Sequence, residues 1–118
     1  MRRLIKSFSF AIDGIFFCFQ KERNFLWHSL AALVAIITGF LFKISKLEWA
    51  AILLCIALVV SLEMINTAIE ILCNKITREK DNDIRMIKDI SAGAVLVGAV
   101  LALVCGLVIF LPKIHALI

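Results

Sequence analysis

The chain has 118 residues, 63% of them hydrophobic, with nine Phe, no Tyr and a single Pro, and its mean hydropathy is +1.03. Such a composition excludes an ordinary soluble domain and a disordered chain, and it predicts one membrane-embedded domain over residues 1–118. The net charge of +4 could suit nucleic acid, but the placement of the basic residues points to a membrane surface instead, so no nucleic-acid partner is expected.

Residues 1–22 carry Arg2, Arg3 and Lys6 at their start and apolar residues at Leu4, Ile5, Phe8, Ile12, Ile15, Phe16 and Phe19. That helical rhythm predicts an amphipathic helix lying in the membrane interface, although Phe10 and Phe17 break the pattern. Asp13 interrupts any signal-peptide core. Residues 25–42 form a first span of 18 residues without Asp, Glu, Lys or Arg. His28 reads as a polar residue near its start rather than as a ligand. Lys43 and Lys46 mark a turn, and Trp49, an interfacial anchor type, opens a second span over 49–76. A charged connection from Thr77 to Asp89 follows, then a third span over 90–111 that Pro112 is expected to stop. Ala94, Gly98, Ala102 and Gly106 fall four apart on this span, a seam of small residues that lets another helix approach closely. Cys18, Cys55, Cys73 and Cys105 lie far apart in apolar sequence and read as small buried hydrophobes, not as a disulfide framework or metal site.

Of the 13 basic residues, ten sit in the amino-terminal segment and the 75–88 region, and Lys43, Lys46 and Lys113 lie on the other side. The positive-inside rule therefore predicts a cytoplasmic amino terminus and second connection. The fold expected is all-α: a surface helix and three transmembrane helices.

The chemistry gathers on the second span, where Glu63 and Glu70 are the sole charges between Trp49 and Cys73. An ionised carboxylate in hydrocarbon is costly, so an intramembrane acid marks a functional site by default. In Glu63-Met64-Ile65-Asn66-Thr67-Ala68-Ile69-Glu70, Glu63, Asn66, Thr67 and Glu70 share one helical face, and Glu70 returns to within about 20° of Glu63 some 10 Å along the axis. Glu70 falls near the cytoplasmic end of the span, where Glu22, Lys88 and Asp89 also lie. Carboxylates and a cation at one interface suit a divalent ion with a polyphosphate, since magnesium binds few carboxylates plus phosphate oxygens. Phosphoryl transfer needs little beyond positioning, a metal and a base. A proton-coupled transporter relaying through Glu63 and Glu70 is the alternative. It leaves Glu22, Lys88 and Asp89 at the rim without a role. A non-catalytic scaffold would account for the small-residue seam alone.

The run Glu63–Glu70, together with Lys88-Asp89-Ile90-Ser91-Ala92-Gly93 and Glu22-Arg23-Asn24-Phe25, closely resembles the prokaryotic diacylglycerol kinase family, which includes the undecaprenol kinases. The resemblance covers nearly the whole chain. It implies a homotrimer in the bacterial cytoplasmic membrane, with active sites shared between subunits and ATP and Mg2+ used to phosphorylate a lipid hydroxyl. By position, Glu63 matches the catalytic base, and a carboxylate removed from water is a stronger base. Glu22 and Glu70 match the metal-holding pair. Arg3, Phe10, Glu22, Glu70, Glu79, Lys88 and Asp89 match nucleotide-contacting positions, and Asn66 and Ala92 match positions that shape the substrate site. No phosphate loop of the form Gly-x-x-x-x-Gly-Lys occurs, which accords with the family. Asn74 replaces an Asp usual there, Lys80-Asp81 replaces Tyr-His in the connection, and Ala11 replaces a serine of the diacylglycerol-preferring type. Ala11, together with Glu22-Arg23-Asn24, His28 and Lys88-Asp89-Ile90-Ser91-Ala92-Gly93, resembles the undecaprenol-kinase branch.

Overall fold

The computed structural model describes residues 1–118 as four helices and no strand: α1 (Arg2–Lys21), α2 (Arg23–Leu41), α3 (Lys46–Ile76) and α4 (Asn82–Leu117). Of these, α2, α3 and α4 are long and apolar enough to cross a membrane. At 1.5 Å per residue, α3 with its 31 residues runs roughly 46 Å, well beyond a bilayer core of about 30 Å. Counting from Trp49, Glu63 therefore lies roughly 21 Å along the span and Glu70 roughly 31 Å, at the far boundary of the hydrocarbon.

Local chemistry explains each boundary. Glu22 alone separates α1 from α2, in extended conformation (φ −110°, ψ 113°), and its N–H donates to the Cys18 carbonyl at 3.0 Å. The turn into α3 needs a left-handed residue, Lys43 at φ 50°. Ser45 and Glu48 then close a capping box, with Glu48 N–H donating to Ser45 Oγ at 3.2 Å and Ser45 N–H to Glu48 Oε1 at 3.0 Å. Asp81 caps α4 by accepting from the N–H groups of Asp83 and Ile84. That cap starts α4 eight residues before the apolar run at Ile90, so Lys88 and Asp89 stand on a helix rather than in a connection. Pro112 does not stop α4, which continues to Leu117. Proline removes the bond its N–H would make to Val108 and its ring crowds that carbonyl, costs that fall only on the last turns of a long helix.

Helices α3 and α4 form the main pair, α2 packs on α3, and α1 touches α2 and α3. The seam on α4 explains the closeness of the main pair: a Cβ on Gly98 would meet Leu62 Cδ1 at 2.8 Å. Around Gly106 nothing lies within 4 Å of such an atom. At the end far from Glu70, Ile44, Ile52 and Ile109 make a small buried cluster, and Lys113 Nζ bonds Glu48 Oε2 at 3.0 Å. At the other end Phe25, the largest fully buried side chain, meets Phe19 edge-on at 4.7 Å and fastens α1 to α2. Only 12 of 118 residues are buried and long apolar faces are open. A soluble fold could not carry that surface, whereas lipid or neighbouring chains cover it in a membrane.

Replacing Gly98 by Ile should lower the denaturation midpoint of the detergent-solubilised protein by an amount equivalent to about 1–3 kcal/mol, through overpacking against Leu62. Gly98→Ala should cost less, because the tip of a flexible leucine can yield. Equal midpoints for wild type and Gly98→Ile would show that the α3–α4 contact is not tight.

Candidate active site

The apolar surroundings of α3 leave its polar stripe one way to be satisfied, by contact with other helices. Glu63 is 3% exposed and Thr67 likewise, and both face α1 and α2, where Cys18 and His28 lie. The Glu63 carboxyl oxygen Oε1 lies 2.7 Å from His28 Nδ1 on α2, although the imidazole atom is not aligned as a formed hydrogen bond. Thr67 Oγ1 donates to the Glu63 backbone carbonyl at 3.0 Å, so its hydroxyl is tied to its own helix. One turn on, Asn66 joins two helices: its Nδ2 donates to Glu70 Oε1 at 3.3 Å, and its Oδ1 accepts from Ser91 Oγ of α4 at 2.6 Å. Asn66 thereby orients Glu70, as the shared face predicts.

Glu22 completes the acidic group. Its position as the single residue between α1 and α2 directs it toward the same end of α3. Burial first, then the Glu70 and Glu63 carboxylates, hold its carboxyl above the ordinary glutamate range. Acids near enough to repel one another are the setting that a divalent cation relieves. No three His, Cys, Asp or Glu side chains converge closely enough to hold a metal unaided. An ion between Glu22 and Glu70 would draw its remaining ligands from water and phosphate oxygens, the usual habit of magnesium.

Lys88 Nζ donates to Asn74 Oδ1 at 2.8 Å. The amide holds the ammonium across α3 and α4 without neutralising it, which leaves the charge available to an anion. Asp89 is exposed and lies 4.0 Å from Arg85 in the same helix, a pair of small energetic weight. Arg3, Phe10, Glu79 and Ala92 are exposed. No hydrogen bond or ion pair joins Arg3, Glu79 or Asp89 to the three glutamates within the subunit. The structure thus brings together Glu22, Glu63, Asn66 and Glu70, places Lys88 on the adjoining turns, and leaves the other expected nucleotide contacts on open surface.

Two polar residues go beyond the sequence expectation. His28 stands against Glu63 rather than serving as a helix-start residue, and Ser91 is 7% exposed and bonds Asn66. Each is an isolated polar side chain in apolar sequence, and a buried polar group needs a partner. That was the available signal.

The fold and the site describe an all-helical membrane protein with Glu63 and Glu70 on one face of α3 and Glu22 near enough for both charges to act on it. Residues 9–110 match the family described as prokaryotic diacylglycerol kinase. The chain is similar to an undecaprenol kinase of Bacillus subtilis (strain 168), 44% identical over 113 residues that cover 96% of this chain and 92% of that one. It is also similar to a diacylglycerol kinase of Synechocystis sp. (strain PCC 6803), 31% identical over 97% of this chain and 66% of the relative. The chain belongs to the prokaryotic diacylglycerol kinase family and is a lipid kinase, whose phosphate donor is a nucleotide. The transporter alternative gives way to that membership.

The raised Glu22 carboxyl sets a pH dependence. Glu22 is favoured in its neutral form in the folded protein, so its stabilising effect is complete below the unfolded value near 4.5 and is lost as pH rises through the folded value. The metal-free protein should therefore show a melting temperature that declines upward from about pH 4.5. Glu22→Gln should flatten the decline. Identical slopes in the two proteins would mean that neither burial nor the neighbouring acids raise the Glu22 carboxyl.

Proposed function

We propose that this protein transfers the γ-phosphate of ATP to the primary hydroxyl of a membrane polyprenol, undecaprenol, releasing the lipid monophosphate and ADP. The observation that carries the reading is buried Glu63 on the same face of α3 as Glu70, with Glu22 near enough for both carboxylates to act on it. The choice of lipid draws support from the relative named undecaprenol kinase; diacylglycerol, the lipid in the other relative's name, offers the same chemistry through its own hydroxyl.

In this mechanism Glu63 accepts the hydroxyl proton as the lipid oxygen attacks the γ-phosphorus. The new bond joins that oxygen to phosphorus, and the bond from phosphorus to the β-phosphate oxygen breaks, leaving ADP. Magnesium held by Glu22 and Glu70 would offset the negative charge on the phosphate oxygens. Asn66 orients Glu70 through its 3.3 Å contact, and the Lys88 ammonium, steadied by Asn74, attracts the polyphosphate. Glu63 lies about two turns deeper than Glu70, so the lipid hydroxyl would reach the base from the membrane side while the nucleotide arrives from water.

The remaining assignments follow the same reading. The excess of basic residues around α1 and the α3–α4 connection supports a cytoplasmic amino terminus in a bacterial cytoplasmic membrane. Exposed apolar residues along α1, among them Leu4, Phe8 and Ile12, support a helix lying on the membrane surface. A homotrimer would supply cover for the open faces of α3 and α4. Within it Arg3, Phe10, Glu79 and Asp89 would reach nucleotide, and Ala92 would border the lipid.

The test is phosphate transfer from radiolabelled ATP, with undecaprenol and diacylglycerol offered in parallel, with and without magnesium. Magnesium-dependent label in undecaprenol is expected; label in diacylglycerol alone would overturn the lipid assignment. Glu63→Gln should reduce turnover by about 10²–10⁴-fold while ATP binding persists, and near-normal turnover would remove Glu63 as the base. Glu70→Gln should instead weaken magnesium-dependent ATP binding. Unchanged magnesium dependence would refute its metal role.

A further inference from the structure

The Glu63 carboxyl is the most deeply placed acid in the chain, and its own helix does little to orient it. The neighbouring hydroxyl of Thr67 is spent on a backbone carbonyl. Asn66 is spent between Glu70 and Ser91. Neither α3 nor α4 sends a hydrogen-bonding side chain to the carboxylate. One polar group reaches it: His28 Nδ1, at 2.7 Å from Oε1, with His28 itself 29% exposed. This imidazole nitrogen is buried and has no other partner. Its location is fixed one turn beyond Phe25, whose burial against Phe19 sets the rotation of α2 on its neighbours. His28 also lines an apolar cavity of about 300 Å³ between α2, α3 and α4, bordered by Ala31, Ala35, Val59, Ala99 and Ala102. In such surroundings a polar contact is strong when made and costly when lost.

We infer that His28 is a positioning residue for the base: its Nδ1 side holds Oε1 of Glu63, and this leaves Oε2 turned to the lipid hydroxyl. The inference rests on the reading of Glu63 as the base. The short but misaligned approach is the form that catalytic contacts take before substrate is bound, tightening in the reactive complex. His28 takes no proton in the reaction and touches neither lipid oxygen nor nucleotide. Its effect is on the angle and reach of the carboxylate, to which rate is steeply sensitive.

The experiment compares kcat and the KM values for ATP and undecaprenol in wild type, His28→Asn, His28→Gln, His28→Leu and Glu63→Gln, all purified in the same detergent. Asparagine can place its amide nitrogen near the position of Nδ1, whereas glutamine extends toward the position of Nε2. His28→Leu should lose about a hundredfold in kcat with the ATP KM within about twofold of wild type, and His28→Asn should recover about tenfold of that loss. His28→Gln should not recover it. A near-wild-type kcat in His28→Leu overturns the proposal. Should the leucine variant fail to fold, the two amide variants still decide the matter, because equal kcat values for Asn and Gln also overturn it. Retained turnover in Glu63→Gln would instead reject the base assignment beneath it.

Discussion

The constraint on which the structure depends is the cost of keeping a carboxyl group inside an apolar span. An acid at the centre of a membrane helix is unfavourable by about 2.5–3.5 kcal/mol on insertion scales, so Glu63 needs neighbours. Every helix contributes to that need. α3 carries the acid, α2 brings His28 to 2.7 Å, and α1 ends beside it with the buried thiol of Cys18. α4 lies against α3 at Gly98, where Leu62 fills the space that a Cβ would need. Gly98 of α4 and the abrupt turn at Glu22 each bring a helix in against the span that carries this group.

The two ends of the bundle divide the work. At one end polar groups are paired and apolar ones packed: Ser45 and Glu48 close a cap, Lys113 bonds Glu48, and Ile44, Ile52 and Ile109 are buried together. At the other end carboxylates crowd one another and the Lys88 ammonium rests on a neutral amide. Local rules are satisfied where the fold is anchored and violated where the chemistry lies, as is usual for functional sites. The imbalance is itself informative, since acids that repel in the isolated subunit have a reason to stay together only when something positive joins them.

Much of this was legible in the chain. Long apolar runs mark the spans because a membrane leaves the backbone few alternatives, and Glu63, Asn66, Thr67 and Glu70 declare a shared face by spacing alone. What lay beyond reach was pairing between helices. His28 is 35 positions from Glu63 and Ser91 is 25 from Asn66, and helical periodicity has nothing to say across such separations. The start of α4 lies beyond hydropathy for a different reason: hydropathy locates the apolar stretch, while the cap on Asp81 sets where the helix begins. Pro112 shows the converse, a strong local stop signal that a nearly finished helix tolerates. The contacts expected of Arg3, Phe10 and Glu79 depend on a nucleotide and on neighbouring subunits, so a single chain does not display them.

The one-residue break at Glu22 bears on how this chain can change over evolutionary time. Connections between helices are normally where insertions and deletions accumulate with least harm. Here the connection is itself the acid proposed to hold magnesium, in extended form between the helix that ends on it and the helix that begins from it. Adding or removing a single residue at this extended joint would change the chain's reach by about 3.3 Å, displacing Cys18 and Phe19 from their partners and shifting the acid against α3. The chain's room for length variation therefore lies elsewhere, in the charged connection after Ile76. The junction that looks most like a spacer is the one least free to act as one.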